Sequence, residues 1–349
     1  MTNRFRVGYL GWVPHPAFLE TAATIPELDV LRIPLEGSEA EVISALASCH
    51  GYYAQASRQE LNPAFHAHAA LLAQLPKLLM VGSYGAGYDT CDPDDCTKAN
   101  VLLINQAGGN AEGVAEHAVG MMLALLKRMP EAQAAMRAGR AQDRAALMGR
   151  DLRGKTVGLV GIGHVGTRVA EILNLAFGCR VLAYDPYLDA ATISARGATK
   201  VEIPALLADS DVISIHSPLT GETRGLMNPA SFAAMKKCAV FVTTARGFIH
   251  EEPALLAALQ SGHLAGAGLD VWADEPPPPS HPLLALDNVI MSQHTAGVTQ
   301  ESRGNISRIA ALAFGEVAQG RMPPRIINPE AVPAFKARYA AAFGRALQG

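Results

Sequence analysis

Apolar and polar positions alternate along the chain with two different periods. Short apolar runs predict strands in the first part of the chain, at residues 6–10, 30–33, 78–81 and 101–104. Residues 111–127 follow a helical period instead, because Val114, Met121 and Leu125 fall on one face of a helix. Strands that alternate with helices indicate βαβ units and a parallel sheet.

The same alternation continues from Lys155 onward. The predicted strands lie at residues 157–160, 180–184, 212–215, 239–242, 266–269 and 289–291. Helices are predicted at 166–177, 203–208, 229–235 and 252–261, and a last one at about 300–320. Four to six parallel strands with intervening helices form a doubly wound domain. The chain is therefore predicted to be an α/β protein with two Rossmann-like, doubly wound parallel-sheet domains.

The domain boundary is predicted in the segment 105–110, which leads into the long helix. The last helix is expected to return to the first domain and make it discontinuous. Residues 1–107 and 298–349 would form a flavodoxin-like domain, and residues 108–297 a Rossmann domain. A chain of 349 residues is long enough for two domains of roughly 150 residues each.

Composition and charge argue against several classes of function. Charged residues make up 17% of the chain and the formal net charge is −3, with no Lys/Arg block, so no nucleic-acid or membrane partner is expected. Five scattered cysteines form no CxxC pair, so neither a zinc site nor a disulfide framework is indicated. Without an apolar run of about 20 residues or a signal-peptide pattern, a cytoplasmic protein is predicted. His66 and His68 lie in a predicted helical segment and would face different sides, so no metal site is predicted.

A glycine-rich turn directly follows the predicted strand 157–160 and opens a helix. Gly161 would make the tight turn, Gly163 lets the backbone approach a pyrophosphate, and Gly166 lets the helix pack close to the strand. The N-terminus of the helix adds unpaired N–H groups for an anion. Since the next predicted strand ends in Asp185, about 20 residues further on, the pattern matches a dinucleotide-binding fingerprint.

Asp185 bears on which dinucleotide is bound. Its carboxylate can accept hydrogen bonds from the ribose hydroxyls of NAD, and it would repel the 2′-phosphate of NADP. The following Pro186 and Tyr187 supply no Arg to offset that repulsion. S-Adenosylmethionine enzymes also combine a glycine loop with an acidic residue, so the loop alone leaves that cofactor open. NAD is the prediction.

Further motifs occur in order between residues 82 and 305. They are GAGYD at 85–89, NAEGVAEH at 110–117, HSPLT at 216–220, TARG at 244–247, GLDVW at 268–272 followed by Glu275-Pro276, and HTAG at 294–297. Together they resemble the D-isomer-specific 2-hydroxyacid dehydrogenase family, which includes phosphoglycerate dehydrogenases, glyoxylate and hydroxypyruvate reductases, and D-lactate dehydrogenases. Several ordered matches are far more specific than the glycine loop.

The resemblance implies NAD-dependent interconversion of a small 2-oxo acid and a 2-hydroxy acid, with Arg246, Glu275 and His294 as the catalytic residues. Such a reduction requires a cation for the carboxylate, a proton for the carbonyl oxygen and a hydride. The guanidinium of Arg246 can hold a carboxylate in a two-point grip. His294 would act as general acid in reduction and general base in oxidation, and Glu275 would orient its ring and favour the protonated form.

The resemblance also implies binding residues. Ala86 and Gly87 are expected to bind the substrate carboxylate through backbone N–H groups, together with Arg246. Asp270 and His294 would line the nicotinamide pocket. The expected cofactor-binding residues are Gly161, Gly163, His164, Val165, Gly166, Asp185, His216, Pro218, Thr223, Ala245, Asp270, His294 and Gly297. A homodimer is the family expectation, with helix 111–127 as the candidate interface.

The sequence departs from the family pattern at three places. Thr243 replaces the usual Asn before the Arg motif, and Gln293 replaces the usual Pro before the catalytic His. Both changes can alter loop geometry without removing a reacting group. Gly139-Arg140 is followed by Ala141, where the family commonly has Trp, and this leaves the details of the cross-subunit contact open.

Substrate size separates the alternatives. Phosphoglycerate-specific relatives place an arginine near the position that Ala56 occupies in this chain. The alanine argues against a phosphate-binding site at this position, although Arg58 is close. We therefore expect a small unphosphorylated acid: glyoxylate, hydroxypyruvate or a larger 2-oxo acid. The alternatives are a D-3-phosphoglycerate dehydrogenase without a regulatory domain, an NAD-sensing corepressor, against which the complete catalytic set weighs, and an enzyme that oxidises phosphonate or phosphite. A formate-type dehydrogenase would carry Gln in place of Glu275.

Overall fold

The chain divides into two compact units. The computed structural model describes residues 4–140 and 144–348. Unit 1 comprises Met1–Asn110 and Val298–Gly349, and unit 2 comprises Ala111–Gly297. The sequence predicted the first boundary three residues earlier, after residue 107. Ala141, where the family commonly has Trp, lies outside the described residues.

The elements are numbered in chain order through both units. The strands are β1 (Phe5–Leu10), β2 (Leu28–Ile33), β3 (Gly51–Ala54), β4 (Met80–Ser83), β5 (Leu102–Ile104), β6 (Thr156–Val160), β7 (Arg180–Tyr184), β8 (Thr199–Lys200), β9 (Val212–Ile215), β10 (Ala239–Thr243), β11 (Leu264–Leu269) and β12 (Val289–Met291). The helices are α1 (Ala17–Ala23), α2 (Glu39–Leu46), α3 (Ala69–Leu72), α4 (Pro93–Lys98), α5 (Ala111–Leu126), α6 (Met129–Arg137), α7 (His164–Phe177), α8 (Ala190–Ala195), α9 (Ile203–Asp209), α10 (Pro229–Ala234), α11 (Glu252–Gln260), α12 (Gln300–Ala318) and α13 (Val332–Phe343).

Unit 1 is built on a parallel sheet with the strand order β2-β1-β3-β4-β5. This is the order of the flavodoxin-like doubly wound fold. The sequence prediction missed β3, because its four residues, GYYA, include no Val, Ile or Leu and so do not form the aliphatic run by which the other buried strands were predicted. The predicted α/β class with two parallel-sheet units is confirmed.

Helix α12 joins the two chain segments of unit 1 into one core. It packs against α1, and its Phe314 is fully buried. A Cβ atom at Gly51 would lie 2.9 Å from the Phe314 ring, and one at Gly82 would also lie 2.9 Å from it. The two glycines, on β3 and β4, therefore make room for the ring. Burying a phenylalanine side chain stabilises a fold by ~1.5–3 kcal/mol.

Unit 2 contains a seven-stranded parallel sheet with the order β12-β11-β10-β9-β6-β7-β8. We expected four to six strands, and the additional one is the two-residue edge strand β8, which is too short to give a sequence pattern. The strand order reverses at β6, which lies between β9 and β7. In doubly wound sheets, ligands bind outside the carboxyl ends of the strands at such a reversal.

Helix α5 buries its apolar face within unit 2. Met121, Met122 and Leu125 are buried, and a Cβ atom at Gly268 of β11 would lie 2.9 Å from the Met121 sulfur. The apolar face of α5 therefore packs on the sheet of its own unit. Glycines on β11 let the helix approach closely, and the role of α5 at a subunit interface stays a prediction.

Residues 4–140 and 144–348 were searched for helices that could span a membrane and for side-chain groups that could bind a metal ion. No helix there has the length and apolar character to cross a membrane. No group of three or more His, Cys, Asp or Glu side chains in the described chain could hold a metal ion. His66 and His68 do not lie in a helix as predicted: His66 follows the 3-10 turn Pro63–Phe65 and His68 precedes α3, with 5.4 Å between ring centroids.

Candidate active site

The glycine-rich turn connects β6 to α7 in unit 2. Gly161 has a φ of 88°, a left-handed conformation that favours glycine. A Cβ atom at Gly166 would lie 2.4 Å from the Gly161 carbonyl oxygen, so the first turn of α7 needs glycine there. A Cβ atom at Gly163 would meet no described atom within 4 Å. The space beside Gly163, at the N-terminus of α7, suits an anion such as a pyrophosphate.

Asp185 follows β7 and lies against this turn. Its carboxylate accepts hydrogen bonds from the N–H groups of Ile162, at 3.2 Å, and Tyr187, at 3.1 Å. The turn and the carboxylate are therefore held together, as the dinucleotide fingerprint requires.

The loop after β9 carries three more of the expected cofactor residues. A Cβ atom at Gly161 would lie 2.8 Å from the Ser217 nitrogen, so this loop passes directly over the glycine turn. The hydroxyl of Thr223 donates to the carbonyl of Pro218 at 2.7 Å. Burial lowers the pKa of His216 to about 4, so its ring is neutral at pH 7 and shares a 2.9 Å hydrogen bond with the Ser214 hydroxyl.

Three neighbouring strands bring the expected catalytic residues to one edge of the sheet of unit 2. Strand β10 pairs with β11, and β11 pairs with β12. Parallel strands that pair in this register end side by side. The residues that follow them therefore share the carboxyl edge: Arg246 after β10, Asp270 and Glu275 after β11, and His294 after β12.

His294 and Glu275 are paired. The Nδ1 atom of His294 lies 2.9 Å from Oε2 of Glu275, and the other carboxylate oxygen accepts a 3.1 Å hydrogen bond from the N–H of Trp272. The His294 side chain is 42% exposed. A ring whose Nδ1 hydrogen is held by a carboxylate keeps Nε2 for a second partner.

Asp270 organises the loop that carries His294. Its buried carboxylate accepts hydrogen bonds from the Ser292 hydroxyl at 2.6 Å and from the N–H groups of Thr295 and Ala296 at 2.8 and 3.0 Å. The Ser292 hydroxyl also lies 3.0 Å from Nε2 of His117 on α5. Neither Ser292 nor His117 was predicted as a site residue from the sequence, although His117 closes the NAEGVAEH motif.

Arg246 begins the 3-10 turn Gly247–Ile249. Its Nη1 donates to the carbonyl of Ala245 at 2.7 Å. A Cβ atom at Gly247 would lie 1.9 Å from the Trp272 carbonyl oxygen, so the turn packs against the segment that leads to Glu275. Only glycine allows this approach. Arg246 is thereby fixed beside the loop that holds the His-Glu pair.

The loop expected to bind the substrate carboxylate lies in unit 1, after β4. The carbonyl of Ala86 accepts a 2.7 Å hydrogen bond from Asn105, and the carbonyl of Gly87 accepts one from the Ser83 hydroxyl. Within the described residues, neither the Ala86 nor the Gly87 N–H donates a hydrogen bond. Both N–H groups can therefore serve an anionic ligand.

Comparisons with known proteins agree with this architecture. Residues 119–296 match the family model described as D-isomer specific 2-hydroxyacid dehydrogenase, NAD binding domain. The chain is 39% identical to a D-3-phosphoglycerate dehydrogenase of Archaeoglobus fulgidus over 74% of this chain and 49% of the relative. It is 37% identical to a glyoxylate reductase of Aeropyrum pernix over 75% of this chain and 80% of the relative. A crystal structure of a glyoxylate reductase from Paecilomyes thermophila superposes with a TM-score of 0.80 at 26% identity, covering 94% of this chain and 99% of that chain.

These similarities extend over most of the chain. It spans about half the length of the phosphoglycerate dehydrogenase and about four fifths of the glyoxylate reductase. The matched NAD-binding domain contains the glycine turn and Asp185, and NAD is the cofactor of that domain. The chain belongs to the D-isomer specific 2-hydroxyacid dehydrogenase family, whose members are NAD-dependent oxidoreductases that act on the CH–OH group.

Proposed function

We propose that the protein interconverts a small 2-oxo acid and the corresponding D-2-hydroxy acid, with Arg246, Glu275 and His294 as its catalytic residues. The observation that carries the proposal is the 2.9 Å contact between His294 and Glu275 at the carboxyl edge of a doubly wound sheet. Arg246 follows the strand next to β11 at the same edge. An acid-base pair beside a guanidinium is what reduction of a 2-oxo acid requires.

His294 holds and moves the proton in this proposal. In reduction, Nε2 of the protonated ring donates a proton to the carbonyl oxygen of the substrate, which becomes the hydroxyl of the product. The ring is then neutral, with its remaining hydrogen on Nδ1 held by Glu275. In oxidation, Nε2 takes the hydroxyl proton, and the carboxylate of Glu275 stabilises the imidazolium that forms. General acid-base catalysis of this kind contributes ~10²–10⁴ in rate.

Arg246 binds and orients the substrate carboxylate. Its planar guanidinium can donate two parallel hydrogen bonds to a carboxylate, which a lysine could not do. The unengaged N–H groups of Ala86 and Gly87 are proposed as further donors to the same group of the substrate. These interactions fix which carbonyl atom faces His294, because a carboxylate held at two points cannot rotate freely.

The cofactor residues would hold NAD in unit 2. The bound cofactor would supply a hydride as NADH in reduction and accept one as NAD⁺ in oxidation. The open space at Gly163 and the N-terminal residues of α7, His164 and Val165, suit the pyrophosphate, and Asp185 suits the ribose hydroxyls. The remaining proposed binding residues are Gly161, Gly166, His216, Pro218, Thr223, Ala245, Asp270, His294 and Gly297.

The residues that follow β3 favour an unphosphorylated substrate. Ala56 packs partly buried against the core of unit 1 and offers no cation for a phosphate. Glyoxylate, hydroxypyruvate or a larger 2-oxo acid would need only the carboxylate donors described above. The similarity to glyoxylate reductases supports this class of substrate.

A phosphorylated substrate is the second candidate, and one contact favours it. Nε of the exposed Arg58 donates to the carbonyl of Asp89 at 3.0 Å, so its guanidinium is tied to the end of the loop that carries Ala86 and Gly87. A carbonyl acceptor leaves the positive charge of Arg58 available to a phosphate. The similarity to phosphoglycerate dehydrogenases makes phosphohydroxypyruvate the substrate to test.

The test is oxidation of NADH, with NADPH in parallel, across a panel of 2-oxo acids that includes glyoxylate, hydroxypyruvate and phosphohydroxypyruvate. Rapid turnover of one acid with NADH would support the proposal and identify the substrate. An Arg58→Ala variant separates the two candidates, because it should raise the KM for phosphohydroxypyruvate only if Arg58 binds the phosphate. NADH binding without turnover of any acid would instead favour the NAD-sensing corepressor.

We also propose a homodimer that uses a surface of unit 2 other than the apolar face of α5. Helix α6 supports this, because Met129 and Met136 are 59% and 71% exposed, and Met148 nearby in sequence is 76% exposed. Light scattering after size exclusion should give the mass of two chains, and Met136→Glu should give one. Leu175→Glu, at an exposed site on α7, is the matched control and should leave the dimer intact. A wild-type protein with the mass of one chain would refute the proposal.

A further inference from the structure

Unit 1 contains a cavity at the amino edge of its sheet. The cavity has a volume of about 1080 Å³, enough for a metabolite, since small-molecule sites span ~300–1,000 Å³. It lies where β1, β2, β3 and β4 begin, and α13 forms one of its walls. The loop with Ala86 and Gly87 follows the carboxyl end of β4. The cavity is therefore on the opposite edge of the sheet from the loop proposed to bind substrate.

The cavity is lined by far more positive than negative charge. Four permanent cations contribute to the lining, Arg4, Arg6, Lys77 and Arg338, against the single carboxylate of Asp29. This concentration occurs in a chain whose formal net charge is −3, so it does not reflect a generally basic protein. A concave surface lined by one sign of charge attracts ligands of the opposite sign.

Two of the arginines are held in place without being neutralised. The Arg338 guanidinium donates to the carbonyls of Asn100 and Pro76, each at 2.8 Å. Burial lowers the pKa of Arg338, as expected for a cation whose bonds go to carbonyl groups and not to a carboxylate. Arg4 likewise donates to the carbonyl of Leu28. These contacts fix the direction of each guanidinium and leave its positive charge for a ligand.

The other two cations differ in their partners. Nε of Arg6 is paired with Asp29 at 2.7 Å, which offsets the one carboxylate of the lining. Lys77 is exposed and makes no hydrogen bond or ion pair within residues 4–140 and 144–348. Its ammonium can therefore turn toward a ligand without losing an existing contact.

The ring of His50 adds a neutral hydrogen-bond donor to the lining of the cavity. Its Nδ1 accepts a 3.0 Å hydrogen bond from the backbone N–H of Arg6, so the ring carries its hydrogen on Nε2. Burial is the main cause that lowers the pKa of His50, and the positive charges of Lys77 and Arg6 lower it further. The ring packs against Phe5 and Phe343, with centroids 5.5 and 4.9 Å away, and these two contacts restrict its orientation.

We propose that this cavity binds a small organic or inorganic polyanion, a molecule with at least two phosphate or carboxylate groups, between Lys77, Arg4 and Arg338. Guanidinium groups match phosphate and carboxylate geometry, and several fixed cations favour a multiply charged ligand over a singly charged one. The site is separate from the residues proposed for catalysis, and the proposal does not depend on the identity of the 2-oxo acid.

Calorimetric titration of the full chain tests this. Inorganic pyrophosphate and citrate are titrated separately at constant ionic strength in the presence of saturating NADH, which fills the dinucleotide site. We expect one site per chain for at least one of the two probes. Lys77→Glu should weaken binding about tenfold or more, because a carboxylate replaces a cation at the ligand, and Lys77→Gln should give a smaller loss.

Two control variants locate the binding. Lys237→Glu makes the same change of net charge at an exposed position of unit 2 and should alter the affinity by less than about twofold. Arg246→Gln should also retain binding, since it removes only the cation proposed to hold substrate. Absence of binding for both probes, an unchanged affinity in Lys77→Glu, an equal loss in Lys237→Glu, or loss in Arg246→Gln would each overturn the proposal.

Discussion

The backbone N–H of His294 donates a 2.6 Å hydrogen bond to the carbonyl of Asp270. His294 has a φ of 57°, a left-handed conformation that is uncommon for a residue with a side chain. The carboxylate of the same Asp270 holds the next two N–H groups, those of Thr295 and Ala296. One buried side chain thus fixes the backbone on which the proposed proton donor stands.

Asp270→Asn is expected to lower both stability and turnover. The carboxylate accepts from three donors, and an amide of the same shape has one oxygen and a nitrogen that is itself a donor. At least one buried N–H would lose its acceptor, at a cost of ~1–3 kcal/mol. Urea unfolding measures the first effect and NADH oxidation the second. Ser292→Ala, which removes the hydroxyl donor and leaves the carboxylate, should have the smaller effect on turnover; the reverse order would contradict this role of Asp270.

His294→Ala is expected to reduce kcat by ~10²–10⁴ while NADH binding survives. Removing the ring removes the proposed proton donor but leaves the glycine turn and Asp185 unchanged. Glu275→Gln should cost less, because the amide oxygen can still accept the hydrogen from Nδ1 while the negative charge is lost. The measurements are steady-state kinetics and NADH fluorescence titration. Wild-type turnover in His294→Ala would remove this residue from the mechanism.

Asp185→Asn is expected to narrow the preference for NAD over NADP. The negative charge would no longer oppose the 2′-phosphate, whereas the single amide oxygen can still accept from one of the two N–H groups, that of Ile162 or that of Tyr187. The ratio of kcat/KM for NADH to that for NADPH measures the change. An unaltered ratio would mean that another residue selects the cofactor.

Much of the candidate site was predictable from residues that directly follow strands. Arg246 and His294 stand after apolar runs, and parallel strands end at a common edge, so sequence alone indicates that they are close. The contact between His117 and Ser292 could not be predicted in this way. It joins residues 175 positions apart and depends on where α5 packs across the sheet, which no local pattern encodes.

Prediction of the fold from the sequence succeeded where the hydrophobic period is clear, and it failed where that period is absent. The apolar face of α5 was identified correctly, but the sheet that covers it could not be predicted, because periodicity shows that a face is buried and not what covers it. Strand β3 was missed because its short run, GYYA, has no period and no aliphatic side chain to mark it as a strand. Gly51 and Gly82 showed no signal either, since their role depends on Phe314, more than 200 residues later.

Phe314→Ala is expected to destabilise unit 1 by ~3–5 kcal/mol, the usual range for a fully buried phenylalanine. The two glycines beneath the ring cannot fill the space, so a cavity would remain. Leu312→Ala is the matched control on the same helix, because its side chain is 53% exposed and its loss should change stability by less than ~0.5 kcal/mol. Thermal and urea unfolding measure both. Equal effects of the two substitutions would show that Phe314 does not hold α12 on the sheet.

Stability is expected to fall as the pH drops from about 6.5 toward about 4. Burial lowers the pKa of His250 from 6.5 to about 4, and its ring has no hydrogen-bond partner within the described residues. Between these two values the unfolded chain binds a proton that the folded chain does not, so stability is complete above pH 6.5 and decreases below it. The loss attributable to this ring is at most ~1.4 kcal/mol per pH unit.

His250→Leu tests this assignment by removing the titrating group from an apolar site. The variant should show a shallower decline in the free energy of unfolding between pH 6.5 and 4.5, because no proton uptake at this position then favours the unfolded state. At pH 7 the free energy of unfolding of the variant should lie at most about 1 kcal/mol below that of wild type. Leucine removes no hydrogen bond at this position, since both ring nitrogens of His250 are unpartnered within the described residues. His164→Leu, at the exposed start of α7, is the control. A decline as steep in His250→Leu as in wild type would assign the acid sensitivity to other groups, of which His216, with a pKa of about 4, is the next to replace.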